Sequence, residues 1–179
     1  MNLPKLMLIV DSTSINRLQS IKTKCLIQLR DKNAESETLY RHALHLRQLS
    51  HKLDCKLIIN DRMDIALAVE ADGVHFPEKG LPPRVAKKLH RWITGVSTHS
   101  LESALQAEQQ GADYIIFGPI YKTGNKIAQG IDMLEKIVSR VSLPVYAIGG
   151  ITLERCQECF NAGAYGVAGI SILEGVLKV

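Results

Sequence analysis

Short runs rich in Ile, Leu and Val alternate with longer amphipathic stretches along this 179-residue chain. The clearest amphipathic stretch is Ser36–Leu53, where apolar residues recur at helical spacing. Strands that alternate with helices form a parallel sheet, and eight such strands can close into a barrel. The predicted strands are Leu6–Val10, Cys25–Leu29, Lys56–Ile59, Gly73–Phe76, Trp92–Val96, Tyr114–Phe117, Pro144–Ile148 and Gly166–Ile170. The pattern therefore predicts an α/β protein with a (β/α)8 TIM barrel.

An open, doubly wound parallel sheet is the alternative architecture. That fold is expected to carry a glycine-rich turn after its first strand. Here the first strand is followed by Asp11-Ser12-Thr13-Ser14, which contains no glycine, so the barrel is favoured. Ser12–Ser20 and Leu173–Val179 are short, so we expect a compact barrel with shortened first and last helices. A homodimer would be one way to supply or cover the missing final helix.

Length and charge limit the organisation and the partners. A chain of 179 residues fits a single domain spanning 1–179. The net charge is +4, and its densest cluster, Arg84–Arg91, lies on one predicted helix without interleaved aromatic residues. This argues against nucleic-acid binding and suits small anionic ligands. Without an apolar run of membrane-spanning length or a signal-peptide layout, we expect a cytoplasmic protein that does not bind a membrane.

Polar residues and glycines collect at the ends of the predicted strands. In TIM barrels the functional site lies at the C-terminal ends of the strands, so these residues are expected to meet. They are Gln28, Arg30, Lys32, Asn60, Asp61, His75, Ser97, Thr98, His99, Thr123, Asn125, Lys126, Gly149, Gly150, Gly169 and Ser171.

Glycine turns follow the last two predicted strands, at Gly149-Gly150 and Gly169-Ile170-Ser171. In barrels this position often binds a phosphate through backbone N–H groups and a helix N-terminus. Tight turns without a ligand are the alternative. Two such turns on adjacent strands favour the phosphate site.

Arg30 and Lys32 follow the second predicted strand and flank Asp31. A guanidinium and an ammonium group together suit a pyrophosphate, whereas a surface ion pair with Asp31 is the alternative.

Asn60 and Asp61 follow the third predicted strand and pair an amide with a carboxylate. Mg²⁺ is usually held by one or two carboxylates together with substrate phosphates. The local pattern supports equally a helix cap, in which Asp61 would begin the predicted helix Met63–Val69.

His75 and His99 also lie at predicted strand ends. An imidazole there could transfer protons near neutral pH, and a hydrogen-bonded structural histidine is the alternative.

Ordered motifs over nearly the whole chain resemble the thiamine phosphate synthase family, which is itself similar to the TenI-type thiazole tautomerases. The segments that carry the resemblance are Gln28–Lys32, Ile58–Ala66, Ala71–His75, Gly95–Ser100, Gly111–Tyr114, Phe117–Tyr121 and Ala147–Ile151. The resemblance implies a TIM barrel that joins hydroxymethylpyrimidine pyrophosphate to a thiazole phosphate and releases pyrophosphate.

The resemblance also implies roles for individual residues. Gln28, Arg30, Lys32, Asn60 and Lys126 would hold the pyrophosphate or the pyrimidine, and Asp61 would bind Mg²⁺. Thr123 would lie on the thiazole phosphate side, and Gly149, Gly150, Gly169 and Ser171 would cradle that phosphate. Ser97 and Asn125 are further substrate-binding candidates, and the catalytic candidates are Arg30, Lys32, His99 and Lys126.

Two motifs depart from the family pattern. The family usually continues the fourth strand as His-Leu-Gly-Gln-Glu-Asp-Leu, and its Asp is a second Mg²⁺ ligand. This chain reads His75-Phe76-Pro77-Glu78-Lys79-Gly80-Leu81, so Gly80 stands at the ligand position. Glu78 could replace that ligand only from a shifted loop. After the sixth strand, Asn125 stands where the family often has a second Thr.

Three functions follow from the resemblance. The first is an Mg²⁺-dependent synthase, favoured because the residues from Gln28 to Lys32 and the Asn60-Asp61 pair keep the synthase pattern. The second is a metal-independent tautomerase that uses His99 as a proton shuttle. The third is a barrel that binds a thiamine precursor without catalysis.

Overall fold

Eight parallel strands form a closed barrel in the computed structural model, which describes residues 2–169. Each strand pairs with the next one in the chain, and β8 pairs with β1. The strands are β1 (Leu6–Val10), β2 (Leu26–Leu29), β3 (Lys56–Asn60), β4 (Gly73–Phe76), β5 (Ile93–Thr98), β6 (Tyr114–Phe117), β7 (Val145–Ile148) and β8 (Gly166–Gly169). The predicted TIM barrel is therefore confirmed.

Helices follow the strands and cover the outside of the barrel. They are α1 (Ser36–Lys52), α2 (Met63–Ala68), α3 (Pro83–Leu89), α4 (Leu101–Gln109), α5 (Ile131–Val138) and α6 (Leu153–Asn161). Between β1 and β2 the chain forms only a 3₁₀ helix, Ile15–Ser20, in agreement with a shortened first helix. The last predicted strand residue Ile170, the candidate Ser171 and the segment Leu173–Val179 lie outside the described residues.

Two helix N-termini lie beside the candidate site. Ser100 caps α4, because its side chain accepts from the N–H of Ser103 while the Ser103 hydroxyl accepts from the N–H of Ser100. Asp61 does not cap α2: the N-cap residue is Arg62, and no side-chain cap bond is made there. The helix-cap alternative for Asp61 is therefore wrong.

The core has an inner and an outer part, as the barrel requires. Inward-facing residues of the strands, among them Met7, Tyr114 and Tyr146, fill the barrel interior. The outward-facing residues pack against the helices in two clusters, one over β1–β4 and one over β5–β8. This packing fixes the strand ends on which the candidate site is built. Within residues 2–169 no helix has the length and apolar character needed to cross a membrane.

Candidate active site

A cavity of about 460 Å³ opens at the C-terminal ends of the strands. This volume suits a small-molecule ligand. Twelve of the residues predicted from the strand ends line it: Gln28, Arg30, Lys32, His75, Ser97, Thr98, His99, Thr123, Lys126, Gly149, Gly150 and Gly169. Apolar side chains complete the wall, including Ile9, Ile116, Pro119, Ile148 and Ile151.

Gln28 reaches this cavity from β2, and only 1% of its surface is exposed. Its Nε2 donates to Oδ1 of Asn60 at 3.1 Å, so Asn60 acts behind Gln28 and does not itself line the cavity. The Oε1 atom of Gln28 is buried and has no hydrogen-bond partner among residues 2–169. Because an unpaired buried acceptor is costly, this oxygen is suited to a ligand that donates a hydrogen bond.

Arg30 and Lys32 extend from the loop after β2 and are both exposed at the cavity. Between them, Asp31 accepts hydrogen bonds from the backbone N–H groups of Ser12, Asn33 and Ala34. Within residues 2–169, Asp31 makes these hydrogen bonds and no ion pair with Arg30 or Lys32, which was the alternative left open by the sequence. The Asp31 carboxylate thus fixes the loop, while the two cations remain available to an anion.

The loop after β6 brings Thr123 and Lys126 to the cavity through a short bridge between these two residues. The Lys126 N–H donates to the carbonyl of Thr123 at 3.1 Å, and Gly124 between them has a φ of 52°. Asn125 is exposed at the tip of this turn and does not line the cavity. The structure therefore brings Thr123 and Lys126, but not Asn125, to the other candidates.

Gly149 and Gly150 line the cavity after β7, with φ values of 99° and 64°. A Cβ atom added to Gly149 would lie 2.4 Å from Cβ of Pro119, so the loop after β6 leaves no room for a side chain. Arg155 of α6 donates to the carbonyl of Gly150 at 2.8 Å and lies over the ring of Tyr121. Glycine is thus required here by packing, which suits a phosphate-binding turn and a tight turn alike.

Glu78 and His99 form a pair at the rim of the cavity. Nδ1 of His99 lies 2.5 Å from Oε2 of Glu78. Burial favours the neutral carboxyl group, but hydrogen bonds from Ser103 and His99 and nearby positive charge outweigh it and lower the pKa of Glu78. Because an ionised carboxylate only accepts, the proton of the shared bond belongs to Nδ1, and Nε2 of a neutral ring would keep its lone pair.

Asp61 directly follows β3, with a left-handed φ of 63° and an exposed side chain. Its carboxylate makes no hydrogen bond or ion pair with the described residues, whereas Glu78 is engaged by His99. Residues 2–169 contain no group of three or more His, Cys, Asp or Glu side chains placed to hold a metal ion. The donor set fits Mg²⁺ only if one protein carboxylate is completed by substrate phosphates and water.

The sequence did not reveal the contact between Glu78 and His99, nor the hydrogen bonds that His75 makes inside the barrel to Ser97 and Tyr114. The sequence does contain one signal for the position of Tyr114 beside His75. Gly95 lies within a predicted strand, where glycine often marks a close approach by a neighbour. A Cβ there would lie 2.0 Å from Cζ of Tyr114.

Comparison with known proteins gives a consistent result. The sequence profile described as thiamine monophosphate synthase matches residues 7–173. A protein from Aquifex aeolicus named putative thiamine-phosphate synthase 2 is 45% identical, over 96% of this chain and 98% of its own. The thiamine-phosphate synthase of Methanocella arvoryzae is 44% identical over 81% of this chain and 71% of its own. The solved thiamine phosphate pyrophosphorylase of Pyrococcus furiosus superposes with a TM-score of 0.84 at 33% identity, covering 97% of this chain and 95% of its own.

Proposed function

The chain belongs to the thiamine monophosphate synthase family, and on that premise we propose that it joins hydroxymethylpyrimidine pyrophosphate to a thiazole phosphate. Thiamine phosphate and pyrophosphate would be the products, formed in the cytoplasm. One observation supports this choice most directly. The buried Oε1 of Gln28, which has no partner in the described part of the chain, lies in a cavity that Arg30 and Lys32 also line. A buried acceptor beneath two cations suits an aminopyrimidine that carries a pyrophosphate.

In this reaction the pyrimidine C–O bond ionises, and the nitrogen of the thiazole captures the resulting cation. Negative charge develops on the departing pyrophosphate, so groups that stabilise it there lower the barrier. Arg30, Lys32 and Lys126 would bind those oxygens, and Gln28, held by Asn60, would orient the pyrimidine ring. The apolar walls from Ile116 and Ile148 would exclude water, which competes for the cation.

The thiazole phosphate would bind on the opposite side of the cavity. Thr123, Gly149, Gly150 and Gly169 line that side, where the backbone approaches the cavity without intervening side chains. We also propose that Asp61 holds Mg²⁺ together with the pyrophosphate. When bound, Mg²⁺ would neutralise part of the charge on the leaving group.

The direct test is thiamine phosphate formation by the purified protein, given both substrates, with Mg²⁺ and then with EDTA. We expect product only with Mg²⁺. Asp61→Ala and Arg30→Ala should each reduce kcat/KM by at least about tenfold, the effect of losing a charged hydrogen bond, while the melting temperature stays near that of the wild type.

Two control variants separate these roles from a general loss of charge. Asp64→Ala removes an exposed carboxylate that pairs with Arg62, and Arg140→Ala removes an exposed arginine beyond α5. Both should retain activity. Full turnover in Asp61→Ala and Arg30→Ala would refute their assigned roles, and no product from folded protein in either condition would refute the synthase.

A metal-independent thiazole tautomerase is the second candidate, because one specific observation favours it. Glu78 orients the exposed imidazole of His99, and a carboxylate–imidazole pair is a common general base. If His99→Ala abolished thiazole isomerisation that EDTA leaves intact, this candidate would replace the synthase.

A further inference from the structure

Three polar side chains form a continuous hydrogen-bonded chain from the cavity into the barrel interior. Ser97 Oγ lies 2.8 Å from Nε2 of His75, and Nδ1 of the same ring lies 3.1 Å from the hydroxyl of Tyr114. His75 and Tyr114 are 1% and 0% exposed. His75 borders the cavity, but both of its ring nitrogens are engaged by Ser97 and Tyr114. Ser97 is half-buried, so within this chain of three it is the residue whose polar atom is open to a ligand.

The surroundings of His75 determine its protonation. The residue is 1% exposed, and each ring nitrogen faces a hydroxyl group, that of Ser97 on one side and that of Tyr114 on the other. A buried ring paired with two neutral hydroxyl groups is itself neutral, with one nitrogen that donates and one that accepts.

Tyr114 determines which nitrogen carries the proton. Burial raises the pKa of the phenol well above its usual value, so the hydroxyl keeps its proton. Within the described part of the chain, this hydroxyl has no hydrogen-bond partner besides His75. If Nδ1 were protonated, the phenol proton would be buried without an acceptor, which is unfavourable. Tyr114 therefore donates to Nδ1, and the imidazole proton lies on Nε2.

The proton on Nε2 sets the direction of the last hydrogen bond. His75 donates to Ser97 Oγ, so the hydroxyl proton of Ser97 points elsewhere, and the cavity is the open side. We propose that Tyr114 and His75 are positioning residues that make Ser97 a hydrogen-bond donor to an anionic substrate oxygen. The identity of that oxygen, on a pyrophosphate, rests on the proposed function.

The surrounding barrel is shaped to keep this arrangement. Tyr114 occupies the space left by Gly95 on the neighbouring strand β5, with which it is in register. Its ring stacks near that of His75, with centroids 5.6 Å apart, and contacts Tyr146 edge to face. The phenol can therefore not rotate away from Nδ1 without displacing its neighbours.

The tautomer of His75 can be tested without substrate by ¹⁵N NMR of the histidine side chains. The His75 signal is identified as the one that is missing from the spectrum of His75→Gln. We expect the wild type to be protonated on Nε2 alone. Tyr114→Phe removes the hydroxyl and keeps the ring, so the His75 signal should shift towards a mixture of tautomers. Tyr146→Phe is the matched control, because that hydroxyl donates to the Pro4 carbonyl instead. Protonation on Nδ1 in the wild type would overturn the proposal.

A double-mutant cycle tests whether the effect reaches the ligand through Ser97. Tyr114→Phe should weaken binding of inorganic pyrophosphate with Mg²⁺, and lower kcat/KM, by about tenfold when Ser97 is present. In a Ser97→Ala background the same change should cost less than about twofold. Equal losses in both backgrounds would overturn the proposal. Because the NMR result needs no turnover, it stands apart from any failure of the synthase assay.

Discussion

At the residue scale, the side chains that fix the site are often those that do not face the ligand. Asp31 lies between the two candidate pyrophosphate-binding cations, but its oxygens accept from backbone N–H groups of its own loop and of the loop after β1. Because one of these belongs to Ser12 after β1, the carboxylate also joins two neighbouring loops. Its ionisation should therefore affect both stability and the placement of Arg30 and Lys32.

The pH dependence of Asp31→Asn tests this role. Hydrogen bonding from Ser12, first by its side chain and then by its backbone, holds the pKa of Asp31 below its usual value. A lowered carboxylate pKa contributes stability that is fully present above the unfolded value and is lost as the pH falls through the folded value. We expect the free energy of unfolding of the variant to lie below that of the wild type above about pH 5, with a gap that closes below about pH 4. The measurement is urea unfolding across this range.

Repeating the series at high salt separates these hydrogen bonds from the general effect of one fewer negative charge. A gap of constant size at every pH would contradict the role of the ionised carboxylate.

At the element scale, the loop between β4 and α3 explains a departure from the family sequence. Pro77 and Gly80 close a turn in which the N–H of Gly80 donates to the carbonyl of Pro77 at 2.8 Å. A Cβ atom on Gly80 would lie 2.8 Å from Cδ of Pro77 and 2.9 Å from its carbonyl oxygen. The aspartate that the family usually has at this position therefore does not fit beside this proline.

Introducing that aspartate tests the dependence between the two positions. Gly80→Asp should lower the free energy of unfolding by about 1–3 kcal/mol, since the added side chain overpacks the turn. The same substitution should cost less in a Pro77→Gly background, where the pyrrolidine ring is absent. Pro77→Gly alone is the control, because it has its own entropic cost. An equal cost of Gly80→Asp in both backgrounds would contradict the steric explanation.

The elements also show what the sequence could and could not predict. Apolar runs located all eight strands, and β1, β4 and β6 have the predicted ends. The strand β5 is longer than predicted, because Ser97 and Thr98 continue the ladder with β6 although they are polar. The rule that a TIM-barrel site lies at the C-terminal ends of the strands predicted most of the residues that line the cavity. It could not reveal the orientation of Glu78 or the partner of His75, since both contacts join residues far apart in sequence.

At the scale of the whole molecule, positive charge is arranged around the mouth of the barrel. The chain carries a net charge of +4, and Arg30, Lys32 and Lys126 line the cavity. A positive opening attracts anionic ligands before contact, and dissolved salt screens this attraction over about 10 Å at 0.1 M.

We therefore expect kcat/KM for the pyrophosphate substrate to fall as sodium chloride is raised, with a smaller change in kcat. Lys52→Gln removes a cation at the end of α1, at the opposite end of the barrel, and should leave both the rate and its salt dependence nearly unchanged. A rate constant that does not respond to salt would contradict attraction by the charged mouth.

The pairing of β1 with β8 has a consequence for the solubility of the chain. The sequence of β1, Leu-Met-Leu-Ile-Val, is apolar on both faces, and such a segment aggregates readily when its backbone is unpaired. In the closed barrel every described strand has a neighbour on both sides, so no edge is free to recruit another chain. Tyr146 donates to the Pro4 carbonyl, and Tyr165 donates to the Leu3 carbonyl. These two hydrogen bonds hold the residues before β1 close to where β1 pairs with β8. Aggregation of the native protein through β1 would thus require one of its two strand pairings, with β2 or with β8, to open first.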